Sequence, residues 1–340
     1  MANFMLDSLN RPLHDLRISV IDRCNFRCPY CMPEGEFDKH YKFLKEKEWL
    51  SFNEIVRLAK IFVELGVKKV RLTGGEPLLR PDLVDLIGQL SQIPGIEDLA
   101  LTTNGSLLAQ YADELKNAGL NRITVSVDTL DSRVFKTMSG GKGNIGRVLA
   151  GIKEAQKAGF KPIKINIVVQ KGVNDHTIFD LIDHFKKDNL VLRFIEYMDV
   201  GNCNHWQEEF VVPSEKIIAM INEYFPLEPA GGDYFGEVAS RYRFKDGSGE
   251  IGFISSITQP FCRGCTRLRL SADGKLYTCL FASKGTDIKK TLRGNVSDEE
   301  IVSLIRAVWE KRKDRYSELR KAAKTDGLQP RKVEMFQMGG

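Results

Sequence analysis

Short apolar runs alternate along the chain with segments whose apolar residues recur every three or four positions, the signature of strands followed by helices. Runs at Leu16–Ile21, Val67–Leu72, Glu97–Thr103, Arg122–Val127, Ile163–Val169 and Leu190–Glu196 predict six strands. Between them Pro81–Ser91, Ser106–Ala118, Asn144–Ala158 and His176–Lys187 carry helical spacing, each ending near Gly or a polar break. A further helix is opened by a capping box from Ser51 to Glu54 and closed at Gly66. Successive βα units of this kind predict an α/β fold, an incomplete (βα)6 parallel barrel of the TIM type. After about Phe225 the rhythm fades, and Pro226, Pro229, Gly231 and Gly232 form a linker into a smaller carboxyl-terminal domain. The predicted division is a barrel core at 8–227 and a second domain at 228–340, whose basic end from Lys311 to Lys332 reads as a solvated helix and tail.

Composition changes this picture only a little. A chain of 340 residues, 42% hydrophobic, can bury a full core and exceeds one ordinary small domain. No window approaches the eighteen or so apolar residues of a membrane span, and Met1 to Leu13 lacks an apolar core behind a basic start. The expectation is a cytoplasmic protein with no membrane partner. A net charge of +5 from 50 basic and 45 acidic residues is too even for a nucleic-acid coat, though it suits an anionic small molecule. Of the seven cysteines six fall in two tight groups, which favours metal ligation over a disulfide framework, and Cys203 stands alone.

The first group follows the first strand: Cys24-Asn25-Phe26-Arg27-Cys28-Pro29-Tyr30-Cys31. Its three thiolates can hold three irons of a cubane and leave the fourth open to a ligand carrying an amine and a carboxylate. A zinc site completed by His14 or His40 is the plain alternative. The second strand then ends in Thr73-Gly74-Gly75-Glu76-Pro77. There the glycines let backbone approach a ligand and Glu76 can hold an ammonium group. Taken alone, that motif is an ordinary turn.

The second group is Cys262-x2-Cys265-x13-Cys279, again with no fourth cysteine and no histidine inside it. A second open cluster would bind a substrate nitrogen or oxygen. Arg267 and Arg269, two apart in an extended segment, would face the same way, toward whatever that cluster holds. Barrel-facing positions normally carry Val, Ile or Leu, yet the predicted strands carry Arg17, Lys69, Arg71, Thr102, Lys164 and Arg193. Singly each reads as a surface residue. As a set at alternate positions on several strands they predict a wet, positive lumen suited to a triphosphate.

In its C-x3-C-x2-C loop and the Gly-Gly-Glu-Pro motif behind it, the chain from about Ser8 to Leu227 resembles the radical S-adenosylmethionine superfamily. The resemblance implies that Cys24, Cys28 and Cys31 bind a 4Fe-4S cluster, with Tyr30, Gly75, Ser126 and Met198 against S-adenosylmethionine. Through Cys262-Arg263-Gly264-Cys265-Thr266-Arg267-Leu268-Arg269-Leu270 to the terminal Gly339-Gly340, the chain is also similar to the GTP-cyclising family that opens molybdenum-cofactor biosynthesis. That similarity implies a 5′-deoxyadenosyl radical taking the hydrogen from C3′ of GTP, with the ribose radical then closing onto guanine C8. It implies a second 4Fe-4S cluster on Cys262, Cys265 and Cys279, and GTP held by Arg17, Arg71, Thr102, Lys164 and Arg267, Leu268 and Arg269. It also implies a one-electron reductant and a downstream cyclic pyranopterin monophosphate synthase as partners, and allows a homodimer. A terminal Gly-Gly is ordinarily frayed, but Gly339 and Gly340 lack side chains and could thread into the site. Two other readings stand beside this one: a radical enzyme that modifies peptides, and a zinc-dependent nucleic-acid module.

Overall fold

The computed structural model describes residues 5–339 apart from 189, 233, 295 and 326–330. Leu16 and Ile18 in β1 (Asp15–Ser19), Val70 and Leu72 in β2 (Lys69–Thr73), and Leu99 and Leu101 in β3 (Asp98–Thr103) are buried. So are Ile123 and Val125 in β4 (Arg122–Ser126), Ile165 and Ile167 in β5 (Lys164–Val169), and Leu192 and Phe194 in β6 (Val191–Glu196). They pack into one apolar layer with the inner faces of helices Phe52–Glu64, Leu83–Ser91, Leu108–Asn117, Ile145–Lys157 and Ile178–Lys186. Because side chains alternate along a strand, the residues between them face the other way. Arg17, Lys69, Arg71, Thr102, Lys164 and Arg193 thus fall on the lumen side, half-buried. The interior that a barrel usually fills with branched apolar residues is polar here, while the layer against the helices stays apolar.

Strands β1 to β6 pair in parallel and in sequence order. A six-strand sheet left there would present unpaired amides along β1 and β6. The carboxyl-terminal residues cover both edges. β7 (Leu227–Ala230), β8 (Ser240–Phe244) and β9 (Glu250–Ile254) form an antiparallel ribbon whose β9 runs parallel to β6. The chain then crosses to the opposite edge, where β10 (Arg267–Leu270) pairs parallel with β1 and is followed by β11 (Lys275–Tyr277) and β12 (Thr286–Asp287). Among the described residues the result is one unclosed sheet in the order β12-β11-β10-β1-β2-β3-β4-β5-β6-β9-β8-β7.

The basic end of the chain departs from the solvated helix and tail expected of it. Arg312 and Arg320 are each only 4% exposed. A buried guanidinium persists where acceptors surround it. Arg312 lies beside Asp7 and donates to the Cys265 carbonyl, while Arg320 donates to Asp199.

Candidate active site

The loop that leaves β1 folds over the carboxyl ends of the strands. Its backbone is gripped by the end of β2: Gly75 N donates to Ile21 O and Glu76 N to Arg23 O, both at 2.8 Å. A Cβ on Gly75 would overlap Arg23 O, so this glycine is needed to bring the two loops into contact. Glu76 is 1% exposed and its carboxylate accepts from Thr103 Oγ1 and Asn104 N, each at 2.7 Å, and from Leu78 N at 3.1 Å. Burial raises its pKa to about 7. The carboxylate thus ties the end of β2 to the end of β3.

Within the loop Cys24, Cys28 and Cys31 are half-buried. Burial raises all three thiols, Cys24 to about 12, and Cys24 and Cys31 raise Cys28 further by their proximity. Phe26 N donates to Cys24 Sγ at 3.3 Å, and Asn104 Nδ2 approaches the same sulfur at 3.9 Å. Arg27 braces the turn through the carbonyls of Cys24, Phe26 and Phe37. Three thiols in one loop, near enough for Cys24 and Cys31 to raise Cys28, with Phe26 N and Asn104 Nδ2 at Cys24 Sγ, are the donor type of an iron-sulfur cluster. Of the two histidines considered for zinc, His14 lies before β1, at the opposite end of that strand, against Asp15 at 3.5 Å, and His40 is exposed. Around the same mouth stand Tyr30, whose hydroxyl donates to Asp128 Oδ2 at 2.7 Å, Gly75, Ser126 at the end of β4, and Met198 two residues past β6.

The second cysteine group lies at the other end of the barrel, because Cys265 precedes β10 and β10 runs parallel to β1. Arg312 Nη2 and Arg267 Nη2 donate to Cys265 Sγ at 3.0 and 3.3 Å. Burial would raise this thiol, but Arg267 and Arg312 outweigh it and bring it down to about 6. Cys279 is pushed up to about 11 by burial and accepts from Phe281 N at 3.5 Å. Cys262 shares a turn with Cys265, whose N donates to Cys262 O at 3.2 Å.

Between the two mouths lies the basic lumen. Arg17 sits in register with Arg71 on one side and Arg269 on the other, and Asp15 with Lys69 and Arg267. Arg17 is held well below its usual pKa by burial and by Arg269, Arg71 and Arg267. Burial and then Arg193, Arg122 and Arg71 bring Lys164 down to about 7, and burial with Arg71 brings Arg193 to about 9. Arg71 donates to Thr102 Oγ1 at 2.9 Å. A cleft at the amino mouth is lined by Arg17, Lys69, Arg71, Arg193 and Arg267, and Tyr234 covers Lys69 with its ring 3.1 Å from Nζ. The side chain of Leu268 is fully buried in the apolar layer on the other face of β10, so it is the backbone of Leu268 that lies between the two arginines.

The tail enters this lumen. Phe336 and Met338 are buried, Ser19 Oγ donates to Phe336 O at 3.5 Å, and Arg269 Nη1 donates to Gly339 O. Gly339 has φ +72°, and a Cβ there would overlap Thr73 Cγ2. Gly340 lies outside the described residues.

Several site residues escaped the sequence. Asp128, just past the end of β4, could have been found by the same strand-end rule that singled out Gly75. Asn104, directly after β3, carries the same mark, whereas Tyr234 and Arg312 carry none.

A partial parallel barrel with a three-cysteine loop at its carboxyl mouth defines a radical S-adenosylmethionine enzyme, and the Radical SAM superfamily description matches residues 18–185. Residues 190–318 match Molybdenum Cofactor Synthesis C. The chain is 50% identical to the GTP 3′,8-cyclase of Acidothermus cellulolyticus over 100% of both chains. It is 51% identical to that of Xanthomonas axonopodis pv. citri over 99% of both, and 46% identical to that of Staphylococcus aureus over 100% of both. The chain belongs to the GTP 3′,8-cyclase family, and with that membership come a 4Fe-4S cluster and S-adenosylmethionine. Among solved structures, Streptococcus suis SuiB bound to S-adenosylmethionine shares the fold at TM-score 0.60 and 16% identity, covering 89% of this chain and 67% of that one. The anSMEcpe structure with AdoMet and Cp18Cys peptide does so at TM-score 0.53 and 16% identity, covering 86% and 83%.

Proposed function

We propose that the protein is a cytoplasmic lyase that converts GTP to (8S)-3′,8-cyclo-7,8-dihydroguanosine 5′-triphosphate in molybdenum-cofactor biosynthesis. The observation that carries this is a lumen of clustered half-buried cations running between two cysteine sites at opposite mouths of one barrel. When bound, the cluster and S-adenosylmethionine supply a 5′-deoxyadenosyl radical. Cys24, Cys28 and Cys31 hold the cluster, and Tyr30, Gly75, Ser126 and Met198 hold S-adenosylmethionine beside it.

At the other mouth Cys262, Cys265 and Cys279 hold a second 4Fe-4S cluster near the purine. The lowered pKa of Cys265 suits a thiolate ligand. Arg17, Lys69, Arg71, Lys164, Arg193, Arg267 and Arg269, with Thr102, hold the triphosphate so that C3′ faces the carboxyl mouth and the amino mouth receives the base. Held cations that repel one another are relieved by an anion of high charge, which favours a nucleoside triphosphate over a peptide. This chemistry requires a one-electron reductant, and its product would pass to cyclic pyranopterin monophosphate synthase as the downstream partner.

Anaerobic turnover of the reconstituted protein with GTP, set against peptide mixtures, tests the reading. Cyclised nucleotide appearing with 5′-deoxyadenosine supports it; radical cleavage productive only with peptides rejects it.

A further inference from the structure

Where the tail approaches the barrel it is held by a group of side chains that neither cysteine site needs. Asp199, next to Met198 in the loop after β6, accepts from Tyr316 Oη at 2.6 Å, Arg320 Nε at 3.0 Å and Lys332 Nζ at 2.9 Å. The same ammonium donates to the Asp199 carbonyl at 2.7 Å. The backbone of Lys332 is fixed in turn, its N donating to Asn202 Oδ1 at 3.0 Å and its O accepting from Asn202 Nδ2 at 2.6 Å. Two residues on, Glu334 accepts from Asn202 N at 3.0 Å and lies 3.4 Å from the Sγ of Cys203, which is 8% exposed.

The third side of this group is the second cysteine site. The ring of Tyr316 stacks on Phe281 with centroids 4.5 Å apart, and Phe281 N donates to Cys279 Sγ. Val333 N donates to Ala282 O at 2.9 Å. A single buried carboxylate therefore joins the loop of Met198, the loop of Cys279 and the strap that leads to Gly339. The strap needs such a hold. A helix as short as Met335–Met338 does not stand by itself, and a chain end is frayed unless tied down.

Resting on the reading that Gly339 acts within the lumen, we propose that Asp199 is a positioning residue that clasps the tail, so that the seating of Gly339 is set jointly by the β6 loop and the Cys279 loop. Losing the clasp leaves both cysteine trios in place but loosens the strap from Lys332 to Glu334, so that Gly339 is held only by the buried Phe336 and Met338 and by Arg269. Glu334 then lifts from Cys203, and radical formation is no longer matched to a fixed position of the nucleotide.

Asp199→Asn removes the charge and keeps the shape. In the cluster-loaded full-length protein, anaerobic alkylation of Cys203 by iodoacetamide, located by peptide mass spectrometry, should quicken about tenfold, the change expected of a loosened local unit rather than a lost fold. Cyclised nucleotide per 5′-deoxyadenosine should fall by a similar factor. Lys332→Gln should do the same, and the double variant should do no more than either single one, as coupled partners require. Cys203 alkylation at the full-length rate in both single variants overturns the clasp, as does a rise at Cys203 that comes only with general unfolding by circular dichroism. If no form of the protein cyclises GTP, the functional reading fails while the Cys203 measurement still decides the clasp.

Discussion

At the scale of single residues, the lumen is defined by cations that suppress one another. Arg17 has Arg71 and Arg269 as its register partners, and against burial and these cations only Asp15 favours its charge, so an arriving anion stabilises it further. Arg17→Ala is expected to weaken GTP about tenfold to a hundredfold, the range of one charge-assisted hydrogen bond, and to leave guanosine nearly unchanged. Equal losses for the two ligands by calorimetry would sink the triphosphate assignment. Lys164 makes the same point through protons. Its pKa is brought down to about 7 by burial and then by Arg193, Arg122 and Arg71. A bound triphosphate favours the charged form and returns the group toward 10.5, its ordinary value. Between those two values the free protein lacks a proton that the complex holds, so GTP binding takes up a proton and affinity falls as pH rises through the window. Calorimetry at pH about 8.5 in two buffers of different ionisation enthalpy reads that proton directly. Zero uptake would reject the contact.

At the scale of elements, the six core strands were legible because each combines an apolar face with a break at Gly or a polar residue, and every observed strand lies within two residues of its expected bounds at either end. The capping box at Ser51 was legible for the same local reason, and the structure bears it out. The strands that cover the two sheet edges were not. β9 and β10 are five and four residues long, and their partners β6 and β1 are remote in sequence, so nothing local announces which edge each will take. Helices Ser132–Met138 and Ser214–Tyr224 escaped in the same way. At the site, the cysteines and the alternating cations could be read from spacing. The partners that hold them, Asp128 under Tyr30 and Arg312 against Cys265, come from distant segments and could not.

The tail is the element where a local reading was most ambiguous and the structure most specific. Phe336 and Met338 anchor it, and Gly339 passes where any side chain would meet Thr73. Deleting Gly339 and Gly340 is expected to leave GTP affinity within about twofold but to reduce cyclised product per 5′-deoxyadenosine at least about tenfold, since alignment of reacting atoms contributes more than binding does. Single-turnover yields of both products measure it. Product at the full-length level would show that the last residues are dispensable.

At the scale of the whole molecule, the sheet sets the two cysteine groups apart along β1 and β10. Cys24 follows β1 by five residues, Cys265 precedes β10 by two, and the strands run parallel with Asp15 opposite Arg267. A cluster at one mouth can therefore be lost without disturbing the thiols at the other. Each trio can hold one cubane, so the anaerobically reconstituted protein should carry about eight irons, and Cys28→Ala and Cys265→Ala about four each. The two losses should differ in kind. Cys28 lies at the mouth where Tyr30, Gly75, Ser126 and Met198 gather, so its variant should no longer cleave S-adenosylmethionine reductively. Cys265 is bonded by Arg267 and Arg312 at the far mouth, so its variant should still produce 5′-deoxyadenosine but no cyclised nucleotide. Iron analysis with electron paramagnetic resonance separates the sites, and product chromatography separates the activities. Stoichiometric zinc in place of iron, or identical behaviour of the two variants, would dissolve the division of labour between the mouths.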